Sequence, residues 1–296
     1  MNQSQNRTTV AFAWTVMVMV SLVPDIIFHE FRLPGSAWLF GGKILLLVGA
    51  LFASFAWDFM YPLRRFLIAF LALNAAEWAI GPVSHSAGWS RHFAASFVGR
   101  MNSSQLLKLS VGLVMAGMVL SLVRSPRRAF LTVAIRGAKA NPVWYLPIRR
   151  PVAYPFRAYP GFCDCDRNTC VRAAWGPPSS SALLHAVPLF PLALAWAAMN
   201  AFSEEYSYRA AIIATIRPVV GDNQALLLSS FSFGGAHFYG IPYGFLGVGI
   251  AACLGYVLGR VMLETEELFW HWFIHLVQDV VIFAFMAAGA VTPGGR

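Results

Sequence analysis

Eight stretches of this 296-residue chain approach the roughly 20 mostly apolar residues that a helix needs to cross a bilayer. They fall at approximately 9–28, 37–57, 66–82, 105–123, 182–202, 223–239, 241–263 and 268–289. Inside hydrocarbon every backbone N–H and C=O must find its partner within the protein, a demand that a helix meets within its own segment. The expected fold is therefore all-α, a polytopic integral membrane bundle of about eight transmembrane helices. Composition agrees: 58% of residues are hydrophobic and 12% charged, against about 25% charged in a soluble domain.

A net charge of +9 does not point to nucleic acid, because the Lys and Arg residues gather between the apolar runs, where membrane topology and anionic headgroups account for them. Ten Arg and Lys residues from Arg124 to Arg172 face only Asp164 and Asp166. That stretch is expected to be a cytoplasmic, Pro- and aromatic-rich interfacial loop. Three regions follow: 1–123, an N-terminal four-helix membrane region; 124–180, the basic loop; and 181–296, a C-terminal four-helix region. Counting back four helices puts the N-terminus and the Arg64-Arg65 pair in the cytoplasm. Counting forward puts Glu264, Glu266 and Glu267 on the outer side, with Arg91 and Arg100 against the trend. The run from Val10 to Val23 resembles a signal-peptide core but lacks a small-x-small cleavage site, and reads as a retained anchor.

Ionisable side chains in membrane segments are costly and mark function. Four such residues, Glu204, His237, His275 and Asp279, lie in the last third of the chain. On a helix Glu205 shares a face with Arg209 and can pair with it, while Glu204 points about 100° away and is left free as a general base. Taken alone, Glu-Glu-x-x-x-Arg is equally an ordinary helix-end ion-pair cluster. His237 follows Gly234-Gly235-Ala236, small residues that let a backbone or substrate approach, although a core histidine would sit there as well. His271, His275 and Asp279 share one face of the last segment, which should look inward.

Two histidines and a glutamate are also a zinc inventory. However, His-Glu-x-x-His is absent, since His29-Glu30 is followed by Phe31-Arg32-Leu33. Neither Gly-x-Ser-x-Gly nor Gly-x-Gly-Asp occurs. Zinc at the Glu/His site stays an alternative to a cofactor-free site. Cys163, Cys165 and Cys170, with His185 as a fourth donor, form a second metal candidate, set against free thiols in a reducing compartment. Trp38, Trp57, Tyr61, Trp144 and Tyr145 read as interfacial anchors.

In order, Glu204-Glu205-x-x-x-Arg209, Phe233-x-x-x-His237 and His275-x-x-x-Asp279 resemble the CPBP family of intramembrane glutamic endopeptidases, which includes CAAX prenyl proteases and bacteriocin-processing proteins. The likeness spans roughly 188–285. It implies a hydrolase in which Glu204, helped by His237, activates water, His275 and Asp279 stabilise the oxyanion, and Glu205 and Arg209 order the site. Asp279 stands where the eukaryotic prenyl endopeptidases of the family carry asparagine. An ionised aspartate cannot donate to an oxyanion, so Asp279 is either protonated or orients His275. The implied partner is a membrane-anchored or lipidated protein or peptide, cut near the membrane surface, with a bacterial inner membrane as the expected location. A non-proteolytic scaffold or bacteriocin-immunity protein, and a transporter with a proton relay through Glu204, are the alternatives.

Overall fold

The computed structural model describes residues 3–35, 38–132, 139–140, 152–153, 180, 184, 186–240 and 243–290. Among them the architecture is a bundle of helices: α1 (Gln3–Val20), α2 (Val23–Glu30), α3 (Leu39–Ala53), α4 (Arg64–His85), α5 (Ala87–Phe93), α6 (Phe97–Val123), α7 (Phe190–Glu205), α8 (Ala211–Val220), α9 (Asp222–Ala236), α10 (Phe245–Thr265) and α11 (Phe269–Ala290). One short antiparallel pair, β1 (Lys139–Ala140) with β2 (Val152–Ala153), lies within the basic segment. Cys163, Cys165, Cys170, His185, Trp144 and Tyr145 lie outside the described residues. Trp38, Trp57 and Tyr61 are exposed, as anchors must be.

Among the described residues four helices are long and apolar enough to cross a membrane: Tyr61–His85, Phe97–Val123, Phe245–Thr265 and Phe269–Gly289. A fifth crossing is obtained if the pair Arg7–Val20 and Val23–Glu30, bent by 43°, counts as one. The bend has a local cause. Ser21 Oγ donates to the Val18 carbonyl and accepts the Val23 N–H, and Pro24 opens α2, the position at which proline starts rather than continues a helix. The segment expected at 37–57 is the 15-residue α3, about 22 Å long at 1.5 Å per residue, short of the roughly 30 Å hydrocarbon layer. The segment expected to stop at 202 instead runs on. A π-helical turn at Tyr206–Ala210 joins α7 to α8, so one rod extends from Phe190 to Val220.

Packing relies on small residues, as it must where lipid removes the hydrophobic drive between helices. A Cβ on Gly112 would lie 2.9 Å from Ser203 Cα, and one on Gly234 would lie 2.9 Å from the Val248 carbonyl oxygen. These contacts press α6 onto the rod and α9 onto α10. Gly235, by contrast, has open space beside it. Around the rod, Val119, Ala129, Tyr206, Ala210 and Met262 form one buried cluster, while Met17, Leu63, Phe66, Ile212 and Leu228 form a second that ties α1 and α4 to α8 and α9.

The direction of the helices overturns one expectation. Asn102 accepts from Trp196, Lys108 reaches Asn200 and Glu204, and Gly112 abuts Ser203. Partner numbers rise together, so α6 and the rod run parallel. The two described ends of the intervening segment therefore sit at opposite ends of the bundle: Ala129 packs with Tyr206 and Leu263 at one, and Ala186 packs with Phe97 and Ala287 at the other. A count that brings the basic loop back to its own side inverts every later helix. Glu266, placed by that count opposite the basic residues, instead accepts from Arg127 Nε at 2.8 Å and lies 4.0 Å from Arg217. The start of the basic segment, Arg64, Arg217 and Glu264 to Glu267 share one end.

Candidate active site

Glu204 lies near the middle of the rod, about 21 Å from Phe190 by helical rise. Two residues after it, at Tyr206, the π turn opens, a distortion that often accompanies functional sites, and Ser229 Oγ of α9 donates to the Tyr208 carbonyl inside that turn at 3.0 Å. Glu204 and Glu205 then face different neighbours, as their 100° offset requires. Glu205 is fully buried and forms an ion pair with Arg209, itself fully buried. Arg209 Nε donates to the Gly255 carbonyl, and its guanidinium lies 4.8 Å over the Phe233 ring.

α11 runs antiparallel to the rod and presents its polar face to it. His275 Nδ1–H donates to Glu205 Oε1 at 2.7 Å, which turns Nε2 toward Glu204 Oε2 and Asp279 Oδ1, each 3.6 Å away. His271, one turn before, is fully buried, 3.7 Å from Glu205 Oε2, and neither of its ring nitrogens has a hydrogen-bond partner among the described residues. His237 caps the C-terminus of α9. Its Nδ1–H donates to the Phe233 carbonyl at 2.8 Å, leaving Nε2 3.8 Å from Glu204 Oε2. Of the four residues singled out in the sequence, His237 and His275 thus meet Glu204 at Oε2 and Asp279 joins them through His275, with Glu205 and Arg209 packed behind.

Two further residues belong to the cluster. Lys108 of α6 donates to Glu204 Oε1 at 3.0 Å and to Asn200 Oδ1 at 2.7 Å. Asn200, one turn before Glu204, donates its amide to Asp279 Oδ2 at 2.9 Å. Glu204 is therefore not the free carboxylate expected from helix faces: its partner comes from a residue 96 positions away, outside any local pattern. The contacts also orient Asn200, because an ammonium only donates and a carboxylate oxygen accepts. Lys108 lines a cavity of about 410 Å³ between α4, α5 and α6, together with Trp89, Phe93, Arg100 and Ser104. Glu77, in turn, accepts from the Tyr208 hydroxyl of the π turn.

Among the described residues no group of three or more His, Cys, Asp or Glu side chains has the arrangement of a metal site. The chemistry on offer is that of a carboxylate and two imidazoles with cations close by.

Residues 186–281 match the family model described as type II CAAX prenyl endopeptidase Rce1-like. That stretch is an Rce1-like region. It takes in the rod, α9, α10 and the polar turns of α11, and so holds Asn200, Glu204, Glu205, Arg209, His237, His275 and Asp279, but not Lys108. No curated protein and no solved structure matches the chain. The match covers less than half of the chain and likens this stretch, not the chain as a whole, to CAAX-type prenyl endopeptidases.

Proposed function

We propose that the chain hydrolyses a peptide bond in a membrane-anchored or lipidated protein or peptide, drawn into the bundle from near the membrane surface, by water activated without a covalent intermediate. The observation that carries this reading is the position of Glu204 Oε2 between His237 Nε2 at 3.8 Å and His275 Nε2 at 3.6 Å. Separations of that size are too long for direct hydrogen bonds and suit a bridging water. With Oε1 held by Lys108, Oε2 is the oxygen that takes the proton as the water attacks, and Glu204 returns that proton to the departing amine. His237, its Nδ1–H engaged by the Phe233 carbonyl, offers Nε2 as an acceptor that orients the water.

His275 supplies the oxyanion contact. Its Nδ1–H is taken by Glu205, so a proton on Nε2 makes it an imidazolium, which brings the cluster of Glu204, Glu205, Asp279, Lys108 and Arg209 to neutrality. Asp279 accepts the Asn200 amide hydrogen. That favours a carboxylate that orients His275 over a protonated donor. Lys108 lines the cavity between α4, α5 and α6 and touches Glu204, so it stands between that space and the carboxylate, and the buried setting strengthens each of these contacts. No cofactor is required by this scheme.

Glu204→Gln keeps the shape and removes the base. Purified, reconstituted E204Q should cleave a membrane-anchored test peptide about 10²–10⁴-fold more slowly than the wild type, with H237A also impaired. Wild-type rates in properly folded E204Q would sink the hydrolytic reading. Proton flux lost without any change in substrate length would instead favour a transporter, and unaltered behaviour of both variants a scaffold.

A further inference from the structure

Asp279 places a third carboxylate beside Glu204 and Glu205, in a region of the bundle where uncompensated charge is costly. Arg209 is committed to Glu205. Beside the His275 imidazolium, the second positive charge that reaches the other two comes from Lys108, directly to Glu204 Oε1 and, across the Asn200 amide, to Asp279 Oδ2. Asn200 is buried and spends its oxygen on the ammonium and its N–H on the carboxylate, so the three side chains form one polarised chain from α6 through the rod to α11.

Resting on the hydrolytic reading above, we propose that Lys108 is a positioning residue of the site, required because residue 279 is an aspartate. It performs two tasks at once. Holding Oε1 fixes the rotation of the Glu204 carboxylate and leaves Oε2 directed at the two histidines; offsetting Asp279 through Asn200 prevents two carboxylates from sharing the single charge of His275. Lys108 lies on a helix outside the Rce1-like region, so the catalytic set carried by that region is incomplete without the N-terminal half of the chain.

A structural role alone does not predict the following dependence. Lys108→Met should lower kcat about 10²-fold, the scale of a misaligned catalytic group, with KM little changed, and Lys108→Arg should retain most of the rate. Replacing Asp279 by the neutral isostere in the same chain, K108M/D279N, should recover at least about tenfold over K108M, since the charge to be offset is gone. Lys108 is 44% exposed along its side chain and lines the cavity. Lys108→Cys can therefore be alkylated in the folded protein, with 2-bromoethylamine to restore an ammonium or with iodoacetamide to leave a neutral amide, treated wild type serving as control for native thiols. Activity regained with the first reagent only supports the proposal. Wild-type kcat in K108M, no recovery in K108M/D279N, or equal recovery with both reagents overturns it. An active E204Q removes the hydrolytic reading and this inference together, whereas an inactive E204Q beside a fully active K108M removes only this one.

Discussion

Arg209 and Glu205 are fully buried, and neither can be left alone there. Removing one member of a buried ion pair costs about 3–5 kcal/mol because the other charge stays uncompensated. Arg209→Met should accordingly lower the thermal midpoint of the detergent-solubilised protein by many degrees, and an unchanged midpoint would contradict the burial described here. The helix-face rule paired Glu205 with Arg209 correctly, since the two are one turn apart in sequence. It left Glu204 without a partner for an equally physical reason: Lys108 and Asn200 are brought in by packing. A signal was nonetheless available. Lys108 is an ionisable residue inside an apolar run, as are Lys43 and Glu77, and the cost of charge in hydrocarbon that singled out Glu204 applies to them equally. The structure gives each a partner: Lys43 pairs with Asp25, Glu77 with Tyr208.

Among the elements, the rod from Phe190 to Val220 does most to build the site, and its π turn is the part hardest to anticipate. Hydropathy ends the apolar run near Glu204, because polar residues begin there, whereas the helix continues through them and buries them against α9, α10 and α11. Ser229→Ala removes the hydroxyl that bonds the Tyr208 carbonyl in that turn. The expected cost is about 1 kcal/mol of stability, read from a shift in chemical or thermal unfolding, with no shift arguing that the turn needs no support from α9. A larger effect is expected at Gly112, where α6 meets Ser203. Gly112→Leu must push the two helices apart and with them Lys108 from Glu204, so cleavage should fall by at least about tenfold. Retained activity would mean that α6 contributes nothing to the site. Gly235, read with Gly234 as a close-approach residue, has free space and should tolerate alanine.

At the scale of the whole molecule, the parallel course of α6 and the rod decides which surfaces share a side. Arg64, Arg127, Arg217 and Glu266 gather at one end, His85 and Tyr239 at the other. Single cysteines at 127, 217 and 266, introduced into a cysteine-free variant, should react with a membrane-impermeant maleimide from the same side, and cysteines at 85 and 239 from the opposite one. Labelling of 127 and 266 from different sides would refute the helix directions. The ion pair of Arg127 with Glu266 makes the same prediction by crosslinking.

Sequence by itself determined that the chain lives in a membrane, that it is helical, and which polar residues of its last third belong together. Each of those follows from local rules: apolar runs must become helices, residues four apart share a face, and charge is not buried without a reason. Only the tertiary structure decided that Glu204 is held by Lys108, that Asn200 links Lys108 to Asp279, and that Glu266 lies with the arginines. Those contacts join residues about 80 to 140 positions apart, and no periodicity within one helix encodes which face of another it will meet.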